Sequence, residues 1–167
     1  MKMAKLLLLG DIGVGKTSLA RRLVLDDFNG LYKATIGTDL YRYDVVPSPI
    51  DTPFQFIIWD TDGNFGDTIF EHVYAKRSDA ALVVGDATRR TSLDAALARV
   101  EGFLAAFPGR PASLIVNKID MLGPGVAPEL PEAAHNLGIP IIFTSAKTGH
   151  HVRDAFHDAA AVIARRS

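Results

Sequence analysis

Cysteine is absent from the chain, which excludes disulfides, thiolate metal sites, palmitoylation and prenylation for these residues. Excess charge of either sign is absent too. Eighteen Lys+Arg against 19 Asp+Glu leave a net charge of -1, so no nucleic-acid partner is expected and nothing draws the chain to an acidic membrane surface. No apolar run approaches the length that spans a bilayer. The opening MKMAKLLLLGD imitates a signal peptide, but its apolar core is short and Gly10-Asp11 offers no small-residue cleavage site. Repeats, low-complexity tracts and linkers are missing. At 167 residues, 48% apolar and 22% charged, the expectation is a single domain over 1–167 with its own core. A cytoplasmic address is expected, with no intrinsic membrane anchor and no myristoylation motif.

What is present is an alternation of strand-like and helix-like segments. AKLLLLG is a short continuous apolar run of the kind a doubly covered strand has. KTSLARRLVLD follows with Leu19, Leu23 and Val24 on one helical stripe. TDLYRYDVV and TPFQFIIWD, rich in aromatic and β-branched residues, flank PSPID and predict a hairpin. DAALVVGDA, PASLIVN and IPIIFTS predict three further buried strands. TSLDAALARVEGFLAAF predicts a helix with Ser92 and Asp94 near its start and Pro108-Gly109 at its stop. ELPEAAHNLG predicts a shorter helix, and GHHVRDAFHDAAAVIARRS an amphipathic one. The pattern implies an α/β fold with a mainly parallel sheet and helices on both faces. Ligands then sit beyond the carboxyl ends of the strands.

The first strand ends in Gly10-Asp11-Ile12-Gly13-Val14-Gly15-Lys16-Thr17, a full match to G-x-x-x-x-G-K-[ST]. Chance produces such a match in on the order of one in two hundred chains of this length. The glycines let backbone N–H groups turn inward around phosphate oxygens at the positive end of the next helix. The candidate binding residues here are Asp11, Gly13, Val14, Gly15, Lys16, Thr17 and Ser18. Lys16 is expected to reach the terminal phosphates, and the Thr17 hydroxyl to ligate Mg²⁺. The third strand ends in WDTDG. A carboxylate at the end of a buried apolar strand is costly unless it has a task, and holding Mg²⁺ through water gives Asp60 one. Gly63 lets its N–H approach the terminal phosphate. Alone, D-x-x-G also describes a capped turn.

The fifth strand ends in Asn117-Lys118-Ile119-Asp120. A carboxylate accepts two parallel hydrogen bonds from the N1–H and N2–H₂ edge of guanine, which adenine does not offer, so Asp120 predicts a guanine site. Asn117 is expected to tie the base loop to the phosphate loop, with the Lys118 stem over the sugar and ring. The sixth strand ends in Thr144-Ser145-Ala146-Lys147. There the Ala146 N–H is the expected donor to the guanine O6, Ser145 braces Asp120, and Lys147 completes the binding set. A helix cap by Ser145 or Thr148 is compatible with that reading.

These four sites, in this order, resemble the Ras superfamily of small GTPases, with GDIGVGKTSL, TIGTDL and WDTDG most like the Rab branch. The resemblance implies a P-loop NTPase (Ras-like) fold with a six-stranded, mostly parallel sheet containing one antiparallel strand. It implies a switch that binds GTP or GDP with Mg²⁺ and hydrolyses GTP. It implies two nucleotide-sensing segments, about Phe28 to Thr38 and about Thr61 to Arg77, which meet effectors, an exchange factor and an activating protein. It places Phe28 against the guanine and Thr35 over Mg²⁺ and the γ-phosphate.

Three departures bear on hydrolysis. Where the family has a water-orienting glutamine, this chain has Asn64, with the same amide on a shorter arm. A shift of about an ångström in a positioning group costs roughly a hundredfold in rate. Asp62 puts a second carboxylate near the γ-phosphate. Ile12 stands where relatives have a small residue, and its β-branched side chain is stiff. The catalytic set implied is Asn64, Lys16 and Gly63, with slow intrinsic hydrolysis expected. The alternative reading is a GTP-binding interaction module with negligible hydrolysis. A small P-loop kinase is disfavoured by N-K-x-D and by the lack of an arginine-rich lid. His72, His150, His151 and His157 suggest no metal site, having no Cys or tight carboxylate cluster beside them. Tyr41 and Tyr43 alternate on one strand face, either half-buried or a partner surface.

Overall fold

The computed structural model describes residues 1–28, 38–61 and 76–166. Six strands are present: β1 (Lys2–Gly10), β2 (Thr38–Val45), β3 (Phe54–Thr61), β4 (Ala80–Asp86), β5 (Ala112–Asn117) and β6 (Ile141–Phe143). They form one sheet in the order β2-β3-β1-β4-β5-β6. β2 pairs antiparallel to β3, with Leu40 opposite Trp59, as the hairpin pattern predicts. The remaining pairings are parallel.

Among the described residues three α-helices cover the sheet: α1 (Lys16–Leu25), α2 (Arg90–Ala106) and α3 (Val152–Arg165). Alternation along each strand sorts the core between the two faces. Leu6 and Leu8 of β1 join Leu82 and Val84 of β4 under α1 and α3, which contribute Leu19, Leu23, Val152, Phe156 and Ile163. Leu7 and Leu9 turn the other way, with Val83, Leu114 and Val116, beneath Leu93, Leu97, Val100 and Phe103 of α2. Strands buried on both faces explain why β1, β4 and β5 are continuous apolar runs.

Gly85 permits the close approach of α2. A Cβ at this position would lie 2.5 Å from Leu93 Cδ2 and 3.3 Å from Leu93 Cα, closer than side chains tolerate. Ser92 does not cap α2 from its end. Its hydroxyl is buried at the β4–α2 junction, accepting from Asp86 N over 2.9 Å and donating to Arg89 O over 2.7 Å. Asp94 instead pairs with Arg90 at 3.3 Å on the surface.

The segment predicted as a short helix forms a 3₁₀ helix, Glu132–Leu137, and only Ala134 of it is buried. One buried residue over so short a stretch does not offset the cost of nucleating an α-helix. Tyr41 and Tyr43 are half-buried and pack on the core, and the Tyr43 hydroxyl meets His157 Nε2 at 3.0 Å.

Candidate functional site at the strand ends

The parallel register brings the carboxyl ends of β1, β3, β4 and β5 to one edge of the sheet. Leu8 lies beside Asp60, Gly10 beside Val84, and Asp86 beside Asn117. The loop leaving β1 enters α1 through Gly15, whose φ of 102° is left-handed. A Cβ at Gly15 would collide with Asn117 Nδ2, so a glycine is required for the loop to lie against the end of β5. Neither a side-chain cap nor an acidic residue occupies the first turn of α1. The positive end of that helix is therefore left for another anion. Lys16 is buried and donates from Nζ to the carbonyls of Gly10 at 2.7 Å and Asp11 at 2.9 Å. Ser18 lies half-buried in the same first turn.

Thr17 Oγ1 donates to Asp60 Oδ2 over 2.5 Å, and Asp60 is fully buried. Two hard oxygen donors side by side next to a phosphate-type loop suit Mg²⁺. Among the described residues no group of three or more His, Cys, Asp or Glu is placed to hold a metal ion. His150 and His151 stack on the surface with ring centroids 3.8 Å apart, and His151 Nδ1 lies 3.2 Å from Phe143 O.

Asn117 joins three segments through one buried side chain. Its Nδ2 donates to Val14 O at 3.0 Å, while its Oδ1 accepts from Thr144 Oγ1 at 3.0 Å and from Ala146 N at 3.2 Å. Ser145 Oγ donates to Asp120 Oδ1 at 2.7 Å and accepts from Thr148 N at 3.1 Å, so it braces Asp120 and the turn that follows Ser145. The expected helix cap by Ser145 or Thr148 does not form: α3 is N-capped at His151 with no side-chain cap. Asp120 itself is exposed. Lys118, in left-handed backbone at φ 66°, sends Nζ to Gly13 O at 2.5 Å and to Asp86 Oδ2 at 3.1 Å. Phe28 is half-buried and packs against the core on the α1 face. Thr35, Asp62, Gly63, Asn64 and His72 lie outside the described residues. So do the two switch segments, apart from Phe28, Thr38, Thr61, Lys76 and Arg77.

Four further residues reach the site without a motif to announce them. Asp86 ends β4, and Asp60 lies one residue from the end of β3, so the same signal applied to it. Burial works to raise its pKa, but bonds from the Thr88 hydroxyl and N–H and from Lys118 outweigh that and hold the carboxyl below its ordinary value. Arg22 of α1 donates from Nε to Ala146 O at 2.8 Å and from Nη2 to Lys147 O at 2.6 Å. Arg89 and Arg99 reach the outer rim of the phosphate-type loop. Arg89 Nη2 donates to Ile12 O at 2.9 Å, and Arg99 Nη1 pairs with Asp11 Oδ1 at 2.7 Å.

A family model described as "Ras family" matches residues 5–165. The chain is 34% identical over 166 residues to Ras-related protein RABF2b of Arabidopsis thaliana, covering 98% of this chain and 80% of that protein. It is 36% identical over 162 residues to Ras-related protein Rab7 of Cenchrus ciliaris, covering 91% and 78%. With the Ypt/Rab-type GTPase YPT7 of Saccharomyces cerevisiae the identity is 33% over 168 residues, covering 93% and 79%.

Proposed function

The chain belongs to the Ras family, within its Rab branch, and from that premise we propose which of its residues make it a switch. It is a GTPase that binds GTP or GDP with Mg²⁺ and hydrolyses GTP slowly. One domain over 1–167 carries the activity. Asp11, Gly13, Val14, Gly15, Lys16 and Ser18 hold the phosphates through backbone N–H groups and the Lys16 ammonium. Thr17, Thr35 and Asp60 hold Mg²⁺, which when bound neutralises charge on the terminal phosphates. Asp120 reads the guanine edge, with Asn117, Lys118, Ser145, Ala146 and Lys147 shaping the base pocket and Phe28 lying against the ring. Lys16, the Gly63 N–H and Asn64 serve hydrolysis, and Asn64, Asp62 and Ile12 set a low rate. The segments 28–38 and 61–77 meet effectors and regulators in the cytoplasm.

The observation that carries this reading is the triple bonding of Asn117. One amide joins Val14 of the phosphate loop to Thr144 and Ala146 of the base loop, so the two halves of a nucleotide meet a single prearranged surface. Competition between fluorescent GDP and unlabelled guanine, adenine and xanthine nucleotides tests it. The native chain selects guanine, and Asp120→Asn moves the preference to xanthine. An unchanged preference in that variant overturns the base assignment.

A further inference from the structure

Three successive carbonyls of the phosphate loop are each held by a donor from elsewhere in the chain. Arg89 Nη2 takes Ile12 O at 2.9 Å, Lys118 Nζ takes Gly13 O at 2.5 Å, and Asn117 Nδ2 takes Val14 O at 3.0 Å. In a planar trans peptide the C=O of one residue and the N–H of the next point in opposite directions. Holding those three carbonyls therefore aims the N–H groups of Gly13, Val14 and Gly15 away from the three donors, as a row of aligned amides. Such a row is an anion-binding concavity.

Two of the donors come from the N-K-x-D segment. The third does not. Arg89 is the residue before α2, and it is itself set in place. Its Nε lies 3.5 Å from Asp86 Oδ2, while that carboxyl also accepts from Thr88 and meets Lys118 at 3.1 Å. Ionised Asp86 thus orients both cations that grip the loop. Next to them, the Arg99–Asp11 pair anchors the residue just before Ile12.

We propose that Arg89 is a positioning residue of the phosphate loop, holding the Ile12 carbonyl outward so that the Gly13 N–H faces the nucleotide phosphates. It acts through the backbone and touches no reacting atom. Ile12 is exposed, and Arg89 grips it through its carbonyl. This rests on the nucleotide-binding reading above.

The test compares Arg89→Ala and Arg89→Lys with Arg90→Ala, a neighbouring arginine that pairs with Asp94 on the surface. Two quantities are read: the release rate of fluorescent GDP in Mg²⁺, and the phosphorus NMR resonances of bound GDP. Arg89→Ala is expected to speed release about fivefold, the effect of one charge-assisted hydrogen bond discounted for solvent exposure. It is also expected to shift the β-phosphate resonance. Arg89→Lys keeps one donor and recovers most of both, and Arg90→Ala changes neither. Thermal unfolding of the GDP-free proteins checks that the variants remain folded. Native-like release and resonances in Arg89→Ala overturn the proposal, as does an equal shift in Arg90→Ala. If native protein itself retains no GDP, the nucleotide reading fails first, and the two failures are told apart.

Discussion

Ser145 Oγ donates to Asp120 Oδ1 over 2.7 Å, fixing from the segment after β6 the carboxylate presented by the segment after β5. Asp120 is exposed in the 3₁₀ turn Ile119–Met121 that follows the left-handed Lys118, and without that bond its side chain is free to rotate into solvent. Ser145→Ala is expected to lower guanine-nucleotide affinity by about tenfold, the loss of one hydrogen bond to a charged group. The preference for guanine over xanthine survives, because the carboxylate is still there. Competition binding checks both halves.

Asn117→Ala removes three buried hydrogen bonds and leaves Val14 O and Ala146 N without this partner. The expected cost is about 2–3 kcal/mol of folding stability, together with loss of measurable GDP retention. Urea unfolding of the nucleotide-free protein reads the first and gel filtration with bound-nucleotide analysis the second. Asn117→Asp tests the same point more narrowly. It keeps the acceptor and loses the donor to Val14, so the phosphate loop is released while the Thr144 bond remains.

Gly15→Ala is expected to be worse than its single methyl suggests. Left-handed backbone at φ 102° disfavours any Cβ, and this one points into the Asn117 amide. A loss of at least about 2 kcal/mol follows, accompanied by failure to bind GDP. A variant that unfolds at the native urea midpoint and still binds would show that the loop relaxes away from β5.

His157, whose contact with Tyr43 ties β2 to α3, gives a pH dependence with a definite sign. Burial lowers the His157 pKa below its ordinary 6.5, Arg153 lowers it further, and Asp154 and Asp158 oppose both. The unfolded chain thus takes up the proton more readily than the folded one. Stability attributable to this ring is complete above pH 6.5 and is lost as pH falls below that value through the lowered folded pKa. His157→Gln should flatten the acid-side decline in urea midpoint over this window. A decline identical to the native one would assign it to other groups.

Much of this edge was legible in the sequence because each buried strand is an apolar run that stops at a polar motif. LLLLG before the phosphate-type loop, IIWD before Thr61 and LIVN before Lys118 each mark a strand and its end together. The hairpin was legible through the aromatic and β-branched residues of TDLYRYDVV and TPFQFIIWD on either side of PSPID. The 3₁₀ segment 132–137 was not, because Glu, Ala and Leu favour an α-helix locally and only packing shows that one residue is buried. Arg22, Arg89 and Arg99 were not legible either. Their partners lie 124, 77 and 88 positions away in sequence, and an arginine on or beside a helix has no pattern that distinguishes a loop clamp from a solvated surface. Asp86 was within reach, since it ends a buried strand and Asp60 lies one residue from the end of another.

The central claim is a GTP switch whose own chemistry runs, but slowly. The most direct measurement is a single turnover: native protein loaded with GTP and Mg²⁺, freed of excess nucleotide, and sampled for bound GDP over hours, with Ile12→Gly run beside it. The account predicts gradual conversion in the native chain and faster conversion in Ile12→Gly. GTP that stays intact in both proteins, or that is consumed at once by the native chain, would contradict it.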